Sequence, residues 1–374
     1  MEQEISLTIK PTMNCNMKCR HCFNGDDFNY SGFTDFRTTC RFVEITAQNF
    51  HAIKLTFHGG EPTLAGEKFY RDFYDFENAL TEKYDTKFLN RFTTNGKLLS
   101  ENLADILIAN NTLINVSFDG PFNDFLRDNT EIVYEKIMML KSKKARLRIF
   151  CTLSSVALGH LQELYDWFKR EELDFKILPI EPRGRAKNFA EHLLPVEKFV
   201  PELIALYKYW LKDTECNIKF YTFHDFVKLR RNVQFKPFWF SREIALNPDG
   251  KIYPFGRPND VNFCLGTPYE KDNIADFFDT DKYKCLVEIL KNHHAKMCTN
   301  CPSKKICNGV LICMSYMYGT DEKMINFSCR QANAIFQGIL SVNENIAEDF
   351  HSGRSSEYNA FVREIFSSAA GIRE

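Results

Sequence analysis

The chain has no long apolar run and no strong excess of charge of either sign. No stretch of about 18 apolar residues occurs, so we expect no membrane-spanning helix. The amino terminus, MEQEISLTIK, lacks a basic segment followed by an apolar one, which argues against a secretory signal. With 48 basic and 49 acidic residues, the net charge of −1 gives no general attraction to nucleic acid or anionic lipid. We therefore expect a cytoplasmic protein that binds neither nucleic acid nor membrane.

Cysteine, by contrast, is plentiful, with 13 residues in a chain of 374. Because the cytosol keeps thiols reduced, we do not expect disulfides, and clustered cysteines are interpreted first as metal ligands. Apolar residues make up 44% of the chain and 35 residues are Phe, which is enough to bury a sizeable core. The composition therefore predicts a globular protein that binds metal.

The first half of the chain alternates short apolar runs with longer amphipathic ones. Six runs rich in β-branched or aromatic residues predict strands, at 5–9, 53–57, 88–94, 113–118, 147–153 and 175–180. Apolar residues at helical spacing predict helices at 66–84, at 100–110 with Ser100 as N-cap, and at 195–212. This alternation predicts an α/β fold whose parallel strands are joined by helical crossovers, as an open sheet or a barrel.

Polar, glycine-containing motifs follow these predicted strands. A cysteine motif follows the first strand, HGGEP (58–62) follows the second, TTNG (93–96) ends the third, SFDGP (117–121) ends the fourth, and PIEPRGR (179–185) follows the sixth. Parallel α/β folds place their chemistry at the carboxyl ends of the strands. We therefore expect these motifs to gather at one rim of the sheet.

The first motif, KPTMNCNMKCRHCFNGDD (10–27), holds Cys15, Cys19 and Cys22 within eight positions. A 4Fe–4S cluster normally takes four thiolates, so a set of three leaves one iron open to a small molecule. A zinc site completed by His21 or by a distant residue is one alternative, and three unligated buried thiols are another. The pattern favours a cluster with an exchangeable position.

The spacing Cys15-x₃-Cys19-x₂-Cys22, followed by Phe23 and placed after the first strand, resembles the signature of the radical S-adenosylmethionine (SAM) enzymes. In that family the amine and carboxylate of SAM chelate the fourth iron. An electron from the cluster then cleaves SAM, and the resulting 5′-deoxyadenosyl radical takes hydrogen from the substrate. The resemblance implies a 4Fe–4S cluster on these cysteines, SAM as a second cofactor, and a partial (βα)6 TIM-like parallel barrel.

The other rim motifs resemble that family in order and position, and the resemblance assigns them cofactor contacts. GGEP resembles the segment that binds the methionine amino group through Gly60 and Glu61, since a carboxylate suits an ammonium group and glycine lets backbone approach closely. Ser117 and Asp119 match positions that contact the ribose and carboxylate of SAM, and Arg127 matches an arginine that pairs with that carboxylate. Without the resemblance, Asp119 would be interpreted as a helix cap and Arg127 as a surface charge. The further cofactor-binding candidates are two residues where the family packs the adenine, His21 and Phe23, and a residue placed at the rim, Asn95.

A second cysteine set lies towards the carboxyl end, with the spacing Cys298-x₂-Cys301-x₅-Cys307 and with Cys329 further on. Four thiolates would complete either a 4Fe–4S cluster or a zinc site. Together with NPDGKIYPF upstream, this spacing resembles the SPASM extension of radical SAM enzymes, which usually holds two auxiliary clusters. The resemblance then spans residues 5 to 335.

The chain departs from the SPASM pattern at the inner auxiliary cluster. The hairpin commonly ends in YPC, but here Phe255 replaces that cysteine, and Leu311 stands where a further cysteine is usual. No cysteine lies between Cys216 and Cys264. We therefore predict one SAM-binding cluster and one auxiliary cluster. The alternative is a second auxiliary site rebuilt from the remaining cysteines of this region, Cys264, Cys285 and Cys313.

These motifs divide the chain into four predicted segments. They are a radical SAM partial barrel (1–215), a bridging region (216–240), a SPASM-like auxiliary-cluster domain (241–335), and a C-terminal helix and tail (336–374). The sequence REIALNPDGKIYPF (242–255) predicts a β-hairpin at the start of the third segment. The Phe-rich, basic segment 223–240 is a candidate lining of a cleft between domains, with core packing as the alternative.

Length and motif order also resemble the anaerobic sulfatase-maturating enzymes, which oxidise a Cys or Ser side chain to formylglycine. In those enzymes an aspartate directly after YPC is the general base, and here that position is Gly256. We therefore expect hydrogen abstraction from a peptide or protein substrate and a different modification, such as a thioether or a carbon–carbon crosslink.

Three alternatives stay open. They are formylglycine formation itself, dehydrogenation of a small molecule by a radical SAM enzyme, and a non-enzymatic iron–sulfur or zinc protein that senses redox state. The pattern does not identify the catalytic acid or base. The need for low-potential, one-electron input implies a flavodoxin or ferredoxin as the reductant.

Overall fold

The structure is a computed structural model that describes residues 2–25, 32–229, 236–240, 242–256, 260–307, 309–317, 319 and 322–367. The predicted cleft segment 223–240 therefore lies partly outside the described residues, at 230–235, and so does the end of the predicted tail, at 368–374. By its internal contacts the chain divides into two compact units. The first comprises Met1–Phe118, Arg127–Arg148 and Trp239–Asn292, and the second comprises Asp119–Leu126, Ile149–Phe238 and His293–Glu374.

Eight strands occur in the described part of the chain: β1 (Glu2–Ile9), β2 (Phe50–Phe57), β3 (Lys87–Thr94), β4 (Leu113–Ser117), β5 (Leu147–Leu153), β6 (Phe175–Pro179), β7 (Glu243–Leu246) and β8 (Ile252–Pro254). The first six confirm the predicted strands, and β7 and β8 confirm the predicted hairpin. The α-helices are α1 (Phe36–Ala47), α2 (Glu67–Tyr84), α3 (Glu101–Ala109), α4 (Asn123–Leu126), α5 (Thr130–Ser142), α6 (Leu161–Arg170), α7 (Val196–Lys212), α8 (Tyr221–Val227), α9 (Asp281–Cys298), α10 (Val310–Met317), α11 (Glu322–His351) and α12 (Ala360–Ser367).

The first unit is built on a parallel sheet whose strand order is β4-β3-β2-β1-β7, with β8 antiparallel beside β7. In the second unit β5 and β6 pair in parallel. Of the strands in the described part of the chain, β8 pairs only with β7, and beyond it lies one isolated bridge between Ile252 and Gly266, so the sheet does not close into a barrel. The predicted α/β fold with parallel strands joined by helices is thereby confirmed.

The two faces of the first unit's sheet differ in polarity because successive side chains of a strand point to opposite faces. On one face Leu7 pairs in register with Leu55, and both are buried under the helices. On the other face the side chains are polar and partly exposed. Register places Thr8 beside Thr56 and places Arg91 next to Thr56 on the following strand. This polar face is where the sheet can meet a ligand.

Aromatic side chains fill the cores of both units. In the first unit the fully buried Phe57 lies 4.9 Å, between ring centroids, from Phe73 on α2. In the second unit Phe220 lies 4.1 Å from Phe175 and 3.9 Å from Phe223. Such pairs contribute about 0.5–1.5 kcal/mol each beyond the burial of their area, which accounts for part of the high Phe content.

Helix caps and buried amides fix several elements. The Ser100 side chain accepts a hydrogen bond from the Leu103 N–H at 3.1 Å, which confirms the predicted N-cap of α3. On α11, the buried Asn343 donates to the Leu229 carbonyl at 2.9 Å and accepts from the Tyr207 hydroxyl at 2.7 Å. None of the helices in the described ranges has both the length and the apolarity needed to cross a bilayer.

Candidate functional site

The amino-terminal cysteine loop begins directly after β1. Cys15 is exposed, and Cys19 and Cys22 are half-buried. Desolvation is the main cause that raises the pKa of the Cys15 thiol, although the residue as a whole is exposed. The charges of Glu61, Cys19 and Cys22 raise this pKa further. The three thiols therefore lie close enough to influence one another.

Gly59 and Gly60 follow β2, and the cysteine loop passes directly over them. A Cβ atom at Gly60 would lie 2.2 Å from the Asn14 carbonyl oxygen, and one at Gly59 would lie 2.3 Å from the Thr12 carbonyl oxygen. The Gly60 N–H donates to the Thr12 carbonyl at 2.9 Å. Glycine is needed at both positions, since any side chain would push the loop away.

Glu61 links the Gly59–Gly60 turn to the end of β3. It is buried, and its carboxylate accepts hydrogen bonds from the Asn95 N–H at 2.8 Å and from the Thr94 hydroxyl at 2.7 Å. Its own N–H donates to the Asn14 carbonyl at 2.8 Å. Burial is the main cause that raises the pKa of Glu61, and the hydrogen bonds oppose it. Sequence reasoning treated Glu61 only as a cofactor ligand and missed this structural role.

Asn95 and Arg127 contact the cysteine loop with their side chains. The Asn95 amide lies 2.8 Å from the Asn16 side-chain oxygen and 3.7 Å from the Cys15 sulfur. The Arg127 guanidinium lies 3.9 Å from the Cys19 sulfur and 3.0 Å from Nε2 of His21. Because guanidinium only donates, Nε2 of His21 accepts this bond and its lone pair is engaged. That geometry disfavours His21 as a zinc ligand.

The remaining predicted cofactor residues divide between the two units. Phe23, 37% exposed, lies edge-on to the His58 ring at 5.9 Å in the first unit, and Ser117 ends β4 in the same unit. Asp119 belongs to the second unit, where its buried carboxylate accepts from the Thr152 N–H at 2.7 Å. Asp119 makes no side-chain capping bond to the short helix that follows it. The cofactor contacts of Ser117 and Asp119 stay predictions.

The donors of the loop fit a 4Fe–4S cluster. Three mutually influencing thiols come from one loop, a guanidinium lies beside one of them, and Nε2 of His21 is already hydrogen-bonded. In a cubane each thiolate binds its own iron, so the sulfur atoms stand further apart than ligands of a single ion do. Within the described ranges, no three His, Cys, Asp or Glu side chains are grouped as ligands of one metal ion.

The carboxyl-terminal cysteine set is formed in the second unit by α9, α10, α11 and the turn between α9 and α10. Cys298 ends α9, and Cys329 lies on α11. The thiol of Cys329 is influenced by those of Cys298, Cys307 and Cys301, and burial raises its pKa to about 12. A small cavity of about 30 Å³ is lined by all four predicted ligands, Cys298, Cys301, Cys307 and Cys329.

Cys313 joins this set as a fifth thiol, which the predicted ligand list did not include. It is fully buried on α10, burial raises its pKa to about 12, and the charges of Cys298 and Cys307 raise it further. Cys313 does not line the cavity, however. Cys264 and Cys285 belong to the first unit, where Cys264 points its sulfur towards the Gly266 carbonyl at 3.8 Å. A second auxiliary site on these three cysteines stays a hypothesis.

Gly256 lies beside a carboxylate from the neighbouring strand. Gly256 follows β8 with φ +69°, and a Cβ atom built on it would lie 2.3 Å from Oε1 of Glu243 and 3.1 Å from the Thr8 hydroxyl oxygen. Glu243 pairs in register with Ser6, so it shares the polar face of the sheet with Thr8. Glu243 therefore places a carboxylate in the space that an acidic side chain at residue 256 would occupy. The predicted β7–β8 hairpin brings the two residues together, so the register of that hairpin is the signal that could have shown this.

A comparison with protein families gives one match to this chain. The Radical SAM superfamily model matches residues 9–163, a range that contains the cysteine loop, the Gly59–Glu61 turn and Arg127. A curated relative, a cysteine-type anaerobic sulfatase-maturating enzyme of Clostridium novyi (strain NT), is 27% identical over 333 residues, which cover 82% of this chain and 87% of that protein.

Solved structures give the same fold. The structure of native anSMEcpe with bound AdoMet and Cp18Cys peptide matches with a TM-score of 0.74 and 21% identity, over 92% of this chain and 99% of that one. Streptococcus suis SuiB bound to precursor peptide SuiA matches with a TM-score of 0.59 and 18% identity, over 83% of this chain and 73% of that one. At these identities the two matches establish the architecture alone.

Proposed function

Because this chain carries a radical SAM domain, we propose that it cleaves S-adenosylmethionine reductively and abstracts hydrogen from a peptide or protein substrate, whose side chain it modifies. A 4Fe–4S cluster and SAM are the cofactors characteristic of that superfamily. The observation that carries the proposal is the three-thiol loop, held over Gly59 and Gly60 with Arg127 against Cys19. No zinc or structural role explains why three thiols, two close-approach glycines and a guanidinium meet there.

The residues of the loop and its surroundings have distinct roles in this proposal. When bound, the cluster and SAM supply a 5′-deoxyadenosyl radical. Cys15, Cys19 and Cys22 would hold the cluster, and Arg127 would pair with the SAM carboxylate. The other cofactor-binding residues of the proposal are those predicted from the motifs: His21, Phe23, Gly60, Glu61, Asn95, Ser117 and Asp119. Cys298, Cys301, Cys307 and Cys329 would hold one auxiliary cluster.

Two comparisons support a peptide or protein substrate. The Clostridium novyi relative is named for maturing sulfatases, which are proteins, and the anSMEcpe and SuiB structures contain bound peptides. The chain also matches the C. novyi protein over 87% of that protein's length, beyond the radical SAM domain itself. A flavodoxin or ferredoxin is proposed as the reductant.

The test is anaerobic turnover by reconstituted enzyme with candidate peptides encoded beside its gene. We expect 5′-deoxyadenosine to form, and the peptide to lose two hydrogens if a crosslink is made. Deuterium placed on the attacked carbon should appear in 5′-deoxyadenosine. SAM cleavage that responds to a small molecule but leaves every peptide unmodified would favour the dehydrogenase alternative and contradict the proposal.

Formylglycine formation is a second candidate because of Glu243. Oxidising a Cys or Ser side chain removes a hydrogen atom from Cβ and then a proton and an electron. The electron goes to a one-electron acceptor, and the proton needs a base. The Glu243 carboxylate lies in the space that a side chain at Gly256 would fill, on the polar face of the sheet. Glu243 would therefore accept the proton that an aspartate at residue 256 takes in the related enzymes.

A carboxylate swap tests this candidate with a sulfatase-derived peptide. Glu243→Gln should lower formylglycine formation about 100-fold, the usual contribution of a general base, while 5′-deoxyadenosine still forms. Combining Glu243→Ala with Gly256→Asp should restore part of the loss. Glu4→Gln, on the same face of β1 and paired with Lys54 at 2.5 Å, is the matched control and should change little. Full activity in Glu243→Gln would remove Glu243 from the mechanism.

A further inference from the structure

The surface around Cys15 differs from the surroundings of the other cysteines in exposure and charge. Cys15 is the exposed thiol of its loop, and Lys18 and Arg20, which flank Cys19, are exposed as well. Residues 10–25 contain no Asp or Glu, although Asp26 and Asp27 follow outside the described residues. An exposed cysteine thus lies in a loop whose described charged residues are all basic.

Residues 95–98 extend this surface. Asn95 bonds to Asn16 at 2.8 Å, and its side-chain oxygen accepts from the Lys97 N–H at 3.0 Å, which fixes Lys97 close to the cysteine loop. Leu98 follows with 49% of its area exposed, although large aliphatic side chains are usually buried. We call Cys15, Lys18, Arg20, Lys97 and Leu98 the loop face. It combines a cluster ligand, three basic residues and one exposed apolar side chain.

We propose that the loop face is the docking surface for an acidic one-electron carrier protein that reduces the cluster. The inference rests on the proposed function, since only a cluster at Cys15 needs such a partner. Exposure of Cys15 shortens the path for the electron from a docked carrier. Basic residues around it would steer an acidic partner into place, because charge complementarity mainly raises association rates. Electron-transfer encounters have small interfaces, and a single apolar contact such as Leu98 is typical of their modest size.

The experiment compares two reductants of the same enzyme. Formation of 5′-deoxyadenosine is measured with reduced flavodoxin, an acidic protein, and with dithionite, which needs no docking. We expect Lys18→Glu combined with Lys97→Glu to raise the KM for flavodoxin about 10-fold at low salt, and to leave the rate with dithionite unchanged. The difference should shrink towards 0.5 M salt, where surface charges are screened.

A control of equal charge change separates docking from net charge. Lys208→Glu combined with Lys284→Glu reverses two exposed lysines on α7 and α9 and should leave the KM for flavodoxin unchanged. An equal rise of the KM in both pairs, or no rise in the loop-face pair, would overturn the docking surface.

Two further outcomes are decisive. If Lys18→Glu combined with Lys97→Glu loses the cluster, the unmodified enzyme still tests the inference. A KM for flavodoxin that does not depend on salt would contradict it. If dithionite itself yields no 5′-deoxyadenosine in the unmodified enzyme, the proposed function fails, and that failure is distinct from a failure of docking.

Discussion

The two cysteine sets of this protein differ in how their thiols are held. At the amino-terminal set, three thiols come from an irregular loop, one of these cysteines is exposed, and the N–H groups of Gly60 and Glu61 donate to carbonyls of the loop. At the carboxyl-terminal set, five thiols come from three helices and a turn, and burial raises the pKa of Cys298 to about 11 and that of Cys329 to about 12.

This difference separates an open metal site from a closed one. Catalytic metal sites keep a position for an exchangeable ligand, whereas structural sites are saturated by protein donors. Three thiols in an accessible loop suit the first kind, and four thiols lining one small cavity suit the second. The comparison predicts that losing one thiol has different consequences at the two sets.

The largest expected effect is at the open site. Cys19→Ala should abolish 5′-deoxyadenosine formation from SAM under dithionite, because two thiolates cannot hold the cluster that binds SAM. The measurement is chromatographic detection of 5′-deoxyadenosine after anaerobic reconstitution. Cys40→Ala, on α1 and outside both sets, is the control and should retain the activity. Formation at the normal rate in Cys19→Ala would reject the cofactor assignment.

The iron content of the protein tests the difference between the two cysteine sets. Since each cubane carries four irons, the reconstituted protein should hold about eight, and Cys301→Ala should hold about four fewer. Colorimetric iron and sulfide assays measure both numbers. A count near twelve in the unmodified protein would show that a second auxiliary cluster exists. An unchanged count in Cys301→Ala would show that the closed site holds no cluster.

Local patterns predicted the fold well, and they predicted part of the site. The six strands and the Ser100 cap depend on nearby residues, and the structure places them as expected, although β1 and β2 each begin three residues earlier, at Glu2 and Phe50, which pair with each other. The cysteine loop and Gly60 are also local motifs. The carboxylate of Glu243 beside Gly256 depends on the register of the β7–β8 hairpin, and the predicted hairpin did not specify that register. The place of Cys313 depends on how helices pack, and such long-range contacts have no signature in a single sequence.

Glu61→Gln tests how much the Glu61 carboxylate stabilises the surroundings of the amino-terminal cysteine loop. A glutamine keeps one acceptor oxygen but puts an amide donor against either the Asn95 N–H or the Thr63 N–H, so one buried backbone donor loses its partner. An unsatisfied buried group costs about 1–3 kcal/mol, and we expect this loss in the free energy of unfolding. Denaturant titration of the anaerobic protein measures it. Unchanged stability would mean that the Glu61 carboxylate does not support the end of β3.

Glu77→Gln, which also replaces a buried glutamate, is the comparison for Glu61→Gln. Glu77 is also buried, but one of its oxygens finds no hydrogen-bond partner within the described part of the chain, and Asn90 donates to the other at 2.6 Å. Burial raises the pKa of Glu77 from 4.5 to about 7, so the folded chain binds more protons than the unfolded one between these values. Relative to Glu77→Gln, the unmodified protein should therefore lose up to about 3 kcal/mol of stability as the pH rises from 4.5 to 7.

The smallest expected effect concerns the fifth thiol of the closed site. Cys313 is fully buried but does not line the cavity, whereas Cys329 does. Cys313→Ala should keep the full iron content and cost about 1 kcal/mol of stability, since it removes one buried atom of apolar character. Cys329→Ala should lose about four irons. The reverse pattern would make Cys313 the fourth ligand, and the closed site would then be built by α10 instead of α11.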